Sequence, residues 1–149
     1  MDYDVLIIGS GPGGYVAAIR ASQLKMKVAV VEKAELGGIC LNWGCIPTKS
    51  LLKSAQVFEY LNHAADYGIS VTGEVKADFG AMISRSRKVA EGMSKGIQFL
   101  FKKNNIEHIK GAGYLTGAGS VEVEDSEGKK KTYIAKHIIL ATGARSKEL

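Results

Sequence analysis

Residues 3–32, YDVLIIGSGPGGYVAAIRASQLKMKVAVVE, decide the fold. Tyr3 to Ile8 is a short apolar run of the kind found in a strand buried on both faces. From Gly13 to about Leu24, Tyr15, Ala18, Ile19 and Ser22 recur at helical spacing, and Val28-Ala29-Val30-Val31 reads as a second buried strand. Strand, helix and strand within thirty residues form a βαβ unit, which closes right-handed with its strands parallel. Where the first strand meets the helix, Gly9-Ser10-Gly11-Pro12-Gly13-Gly14 matches G-x-G-x-x-G. Gly9 suits the tight turn, Gly11 lets the backbone approach a pyrophosphate, and Gly14 lets helix pack on strand. The helix N-terminus then offers free N–H groups and a positive dipole end to the anion, with Pro12 and Gly13 between. The second strand ends in Glu32, 18 residues beyond Gly14 and followed by Lys33, where a carboxylate can accept from a ribose hydroxyl. The bland alternative is a structural βα turn with a surface Glu. The turn alone does not choose between NAD and FAD.

Outward from this unit the periodicity continues. Leu51, Ala55, Phe58, Leu61 and Ala65 fall at steps of three and four, predicting a helix from about Cys45 to Tyr67 with Gly68 as its C-cap. Asp78 can cap another helix running to about Lys103. On it Phe79, Met82, Ile83, Val89, Ala90, Met93, Ile97, Leu100 and Phe101 share a face, with Arg85, Lys88, Lys95 and Lys102 opposite. After Asn104-Asn105 come short strand-like segments: Ile106 to Lys110, Tyr114 to Thr116, Val121 to Glu124 and Thr132 to Ala135. With Asp125-Ser126-Glu127-Gly128 as a hairpin turn, they predict a small antiparallel meander. A last buried strand, His137 to Ala141, ends at Thr142-Gly143. The fold class is therefore α/β, a Rossmann-like parallel sheet with an added meander.

The 149 residues, 46% hydrophobic and 23% charged, have the size and balance of one globular domain. The acidic start Met1-Asp2-Tyr3-Asp4 lacks the features of a secretory leader, and no apolar run approaches the ~20 residues of a membrane span, so a cytoplasmic location is expected. Residues 1–75 hold six Lys/Arg against seven Asp/Glu, and residues 76–149 hold fourteen against eight. The basic residues follow one helix side and the Lys129-Lys130-Lys131 turn, which reads as a solvated surface and not as a nucleic-acid face.

Two cysteines occur, Cys40 and Cys45, within GGICLNWGCIPTKSLL at residues 37–52. A cysteine pair in a cytosolic chain is usually metal-binding or catalytic. Zinc would want four ligands, and His63, His108 and His137 are scattered, so no metal site is expected. Two unrelated buried thiols remain the bland alternative. Positions five apart in a straight α-helix lie about 8.5 Å apart at Cα, and a disulfide closes only below about 7 Å. If the two bond, the backbone between them is not regular helix, and Gly44 supplies the freedom to bend. Pro47 suits the first turn of the helix that follows.

This segment resembles the redox-disulfide signature of the flavin disulfide reductases, most closely that of the dihydrolipoyl dehydrogenases. The resemblance extends to residues 2–33, to KGAGYLTG at 110–117 and to Ala141-Thr142-Gly143, and so covers nearly all the chain. Trp43 stands where that family usually has a smaller residue. The resemblance implies that residues 1–149 are the amino-terminal portion of an FAD-binding domain. An NAD domain, the remainder of the FAD domain and a dimer-interface domain would lie outside them. It implies Cys40 as the outer sulfur that exchanges with dihydrolipoamide, and Cys45 as the inner one, against the flavin. It also implies Lys49 near the flavin, and Gly38, Gly113 and Ala141 to Ala144 among its contacts, with Gly9 to Gly14, Glu32 and Lys33 holding the rest of FAD. NAD⁺ is then the final electron acceptor. The implied partners are lipoyl domains of 2-oxo-acid dehydrogenase complexes or a glycine-cleavage carrier protein, with homodimerisation of the whole enzyme. A glutathione- or mercury-type reductase and a non-catalytic FAD-binding module are the competing readings.

Overall fold

Two apolar runs become the centre of one sheet. A computed structural model of the chain describes residues 1–144 and 147. In it β1 (Tyr3–Ile8) and β2 (Val28–Glu32) pair in parallel, Val5 opposite Val28 and Ile8 opposite Val31, joined by α1 (Pro12–Gln23). Successive strand side chains face opposite ways, so each run serves two cores. Val5, Ile7, Val28 and Val30 pack among helices, against Ala18, Leu41, Ile97 and Phe101. Leu6, Ile8, Ala29 and Val31 face the other way, onto Val121 and Val123, and Tyr3 joins that cluster from the start of β1. Burying each such Val, Leu or Ile contributes about 1.5–3 kcal/mol relative to exposure.

Helices α2 (Gly38–Asn42), α3 (Cys45–Asn62) and α4 (Phe79–Lys103) follow, and then four strands: β3 (Glu107–Lys110), β4 (Ala112–Gly117), β5 (Ser120–Glu124) and β6 (Lys130–Leu140). The strand order is β3-β2-β1-β6-β5-β4. β6 joins the two halves. Its first part pairs antiparallel with β5, its second part parallel with β1.

Three expectations need correction. Ile106 to Lys110 is not part of the meander: β3 adds to β2 in parallel, because Ile106 and Ile109 are buried on opposite sides of that edge. Thr132–Ala135 and His137–Ala141 are not separate strands but one, since β5 and β1 offer partners in succession along the same extended stretch, and Ala141 lies just beyond its end. The helix predicted to reach Tyr67 stops at Asn62, and a 3₁₀ turn, Ala64–Tyr67, carries the chain to Gly68. Apart from these differences, the apolar faces of α3 and α4 are only partly covered. Ala90, Ile97 and Phe101 are buried, whereas Phe79 is 70% exposed and Leu61 and Met93 are exposed too.

Gly9, Glu32 and Ala141 lie together where the parallel strands end. Open α/β sheets bind ligands at this edge.

Candidate active site

Gly9 leaves β1 with φ +102°, a left-handed conformation natural to glycine, and its N–H donates to the Val31 carbonyl at 2.8 Å. A Cβ on Gly14 would collide with the Gly9 carbonyl, and one on Gly9 with the Ala141 carbonyl. The turn is therefore wedged between α1 and the end of β6. Gly11 and Gly13 meet nothing within 4 Å, so the backbone on that side is open to a ligand. Gly11 caps α1 with no side-chain hydrogen bond and Pro12 begins it, which leaves the helix's first N–H groups for an anion.

Glu32 closes the far side. Its Oε2 accepts from the Ser10 N–H (2.9 Å) and the Ser10 hydroxyl (2.7 Å), and its Oε1 from the Ala34 N–H (3.0 Å). Burial pushes the carboxyl up, but these donors outweigh it and hold the group below its ordinary value. Of a carboxylate's roughly four acceptor positions, these three bonds leave room on Oε1 for a ribose hydroxyl.

The cysteine segment abuts the same turn. The Gly37 N–H donates to the Ser10 carbonyl at 3.0 Å, and a Cβ on Gly38 would come within 2.8 Å of Gly11 Cα. Cys40 and Cys45 form a disulfide with their Cα atoms 4.7 Å apart. Two helices meet there. Cys40 lies in α2, Cys45 is the first residue of α3, and the chain breaks direction at Trp43-Gly44. Gly44 packs so closely that an added Cβ would sit 3.1 Å from the Ile39 carbonyl. Pro47 occupies the first turn of α3, where its missing N–H costs nothing. Cys45 is exposed and Cys40 half-buried against the helical core.

A disulfide is thus built beside a glycine turn at the ligand edge of the sheet. The sequence profile of the pyridine nucleotide-disulphide oxidoreductases matches residues 3–149. The chain belongs to the pyridine nucleotide-disulphide oxidoreductase family. Among curated relatives, the dihydrolipoyl dehydrogenase of Rhizobium etli is 52% identical over 99% of this chain and 34% of its own length. That of Zymomonas mobilis is 52% identical over 99% of this chain and 31% of its own length. The mitochondrial dihydrolipoyl dehydrogenase of Dictyostelium discoideum is 48% identical over 95% and 29%. The chain spans about a third of the length of these relatives.

The remaining sequence-predicted residues fall into three places. Lys33 and Gly38 flank the segment from Glu32 to the disulfide. Gly113, in β4, lies over Ile8 and Val31, so the meander reaches the ligand edge of the sheet. Thr142, Gly143 and Ala144 are exposed just beyond β6, and Lys49 is exposed one turn into α3. The histidines stand apart: His63 sits beside Glu59 at the end of α3, and His108 and His137 are in β3 and β6. Among the described residues no helix is long and apolar enough to cross a membrane.

Three contributors escaped the sequence reading: Ser10, fully buried between Glu32 and Gly37; Asn42, whose Nδ2 donates to the Leu36 and Gly38 carbonyls; and Arg87. Ser10 had a signal in the sequence, a hydroxyl placed inside a glycine turn. Arg87 had none, because nothing in its helical period distinguishes it from its solvated neighbours.

Proposed function

We propose that this chain is the amino-terminal part of the FAD-binding domain of a flavoprotein that oxidises protein-bound dihydrolipoamide, with NAD⁺ as final acceptor. The observation that carries the reading is the Cys40–Cys45 disulfide at the entrance of α3, beside the Gly9–Gly14 turn. The residues fit FAD. Gly11, Pro12 and Gly13 would hold its pyrophosphate at the start of α1, Glu32 and Lys33 its adenosine end, and Gly38, Lys49, Gly113 and Ala141 to Ala144 its remainder. Bound FAD would supply a two-electron carrier between the protein's dithiol and NAD⁺.

The chain's own chemistry is thiol–disulfide exchange. A dihydrolipoamide thiolate attacks Cys40 Sγ, the Cys40–Cys45 bond breaks, and Cys45 leaves as thiolate. The substrate's second thiol, deprotonated, attacks its own sulfur in the mixed disulfide and closes lipoamide as Cys40 departs. Substrate is oxidised by two electrons and the protein disulfide reduced by two. Cys45 at the first position of α3 has the positive helix end to stabilise its thiolate. The names of the relatives favour lipoamide over glutathione or mercury as substrate. Lipoyl domains of 2-oxo-acid dehydrogenase complexes, or the glycine-cleavage carrier protein, are then the partners of the whole homodimeric enzyme.

Cys45→Ser in the full-length protein tests the roles of the two sulfurs. It should retain flavin yet lose the long-wavelength absorption of the two-electron-reduced protein, measured by anaerobic titration. Survival of that band would reverse the inner and outer assignments.

A further inference from the structure

We propose that Arg87 is a positioning residue for the cysteine pair, holding the Cys40-bearing helix at the entrance of α3 whether the disulfide is open or closed. The inference rests on the reading of Cys40 and Cys45 as a redox couple and adds a residue on a separate element that sets its equilibrium. α2 is five residues long, too short to be stable alone. Its final carbonyl, at Asn42, has no partner in the helix and accepts from Arg87 Nη1 of α4 at 3.1 Å. From within, the Asn42 carboxamide bridges the Leu36 and Gly38 carbonyls at 3.1 and 3.0 Å. At its start, Gly37 is tied to Ser10. None of these hydrogen bonds involves a sulfur, so reduction of the disulfide removes none of them directly.

The consequence is a preorganised dithiol. With the disulfide closed, α2 is already fixed to α3 and the Arg87 bond is a redundant restraint. With it open, Arg87 adds to the Asn42 and Gly37 contacts in limiting the wandering of Cys40 away from Cys45, and its bond is weaker than in the closed form because the entropy of ordering the end of α2 opposes it. Removing it lowers the effective concentration of one thiol at the other and favours the reduced pair. Arg87 is exposed, so its replacement leaves the core untouched.

The test equilibrates the full-length protein, Arg87→Met, Arg87→Lys and Lys88→Met with glutathione buffers. Two glutathione thiols become glutathione disulfide as the Cys40–Cys45 bond becomes two thiols, and trapped thiols are counted by mass. Arg87→Met should lower the constant for disulfide formation about three- to tenfold, the range reached when most of one net hydrogen bond is lost on reduction. Arg87→Lys, which keeps a charged donor, and Lys88→Met, which removes a neighbouring charge, should stay within twofold. An Arg87→Met constant within twofold of the unaltered protein, or an equal fall in Lys88→Met, would overturn the proposal. If the unaltered pair does not titrate as a two-electron couple at all, the redox reading itself fails.

Discussion

Glu32 stands half-buried at the end of β2, with Ser10 and Ala34 donating to its carboxylate. Burial raises its pKa and the donors lower it by more than burial raises it, so the folded value lies below the ordinary carboxylate value of about 4.5. A carboxyl depressed by folding stabilises the fold above its unfolded value, and that stabilisation is lost as pH falls through the folded value. Urea midpoints should therefore decline below about pH 4.5 more steeply in the unaltered protein than in Glu32→Gln. Equal slopes would mean that the Ser10 contacts do not distinguish the ionised group. This site was half-legible in sequence. Glycine spacing and the acidic residue 18 positions on announced a nucleotide edge, whereas the one sign of Ser10, a hydroxyl inside a glycine turn, does not say which group it meets.

At the scale of elements, α4 is the longest helix among the described residues and begins at a single cap. Asp78 Oδ1 accepts from the Ala81 N–H at 2.8 Å. Asp78→Ala should cost about 1 kcal/mol in urea denaturation, as side-chain caps generally do; no measurable loss would place the start of the helix elsewhere. The cap and the helix were readable because both are local chemistry. The break between α2 and α3 followed from cysteine geometry, given the bond, but α2 itself did not, since five residues carry too little periodicity. β6 was misread as two strands and β3 as part of the meander for one reason. Pairing partners are chosen by long-range contacts, and an extended segment looks the same in sequence whichever neighbour it pairs with.

For the molecule as a whole, three layers organise the proposed chemistry: helices, a mostly parallel sheet and the meander, with glycine turn and disulfide at one edge. The parts of α3 and α4 left exposed are apolar, and the chain spans about a third of its relatives' length. Residues 1–149 alone should accordingly produce no NADH from dihydrolipoamide and NAD⁺ in an absorbance assay, and NADH formation would show that the electron path to NAD⁺ is complete within them. The central claim is that Cys40 and Cys45 act as one couple. Peptide mass mapping after alkyl trapping, across a series of dihydrolipoamide-to-lipoamide ratios, tests it most directly. The account predicts that the two cysteines pass together from bonded to doubly labelled, a singly labelled form occurring only as the Cys40 mixed disulfide with lipoamide, recognised by its mass. Labelling of either cysteine independently, or two free thiols at every ratio, would contradict it.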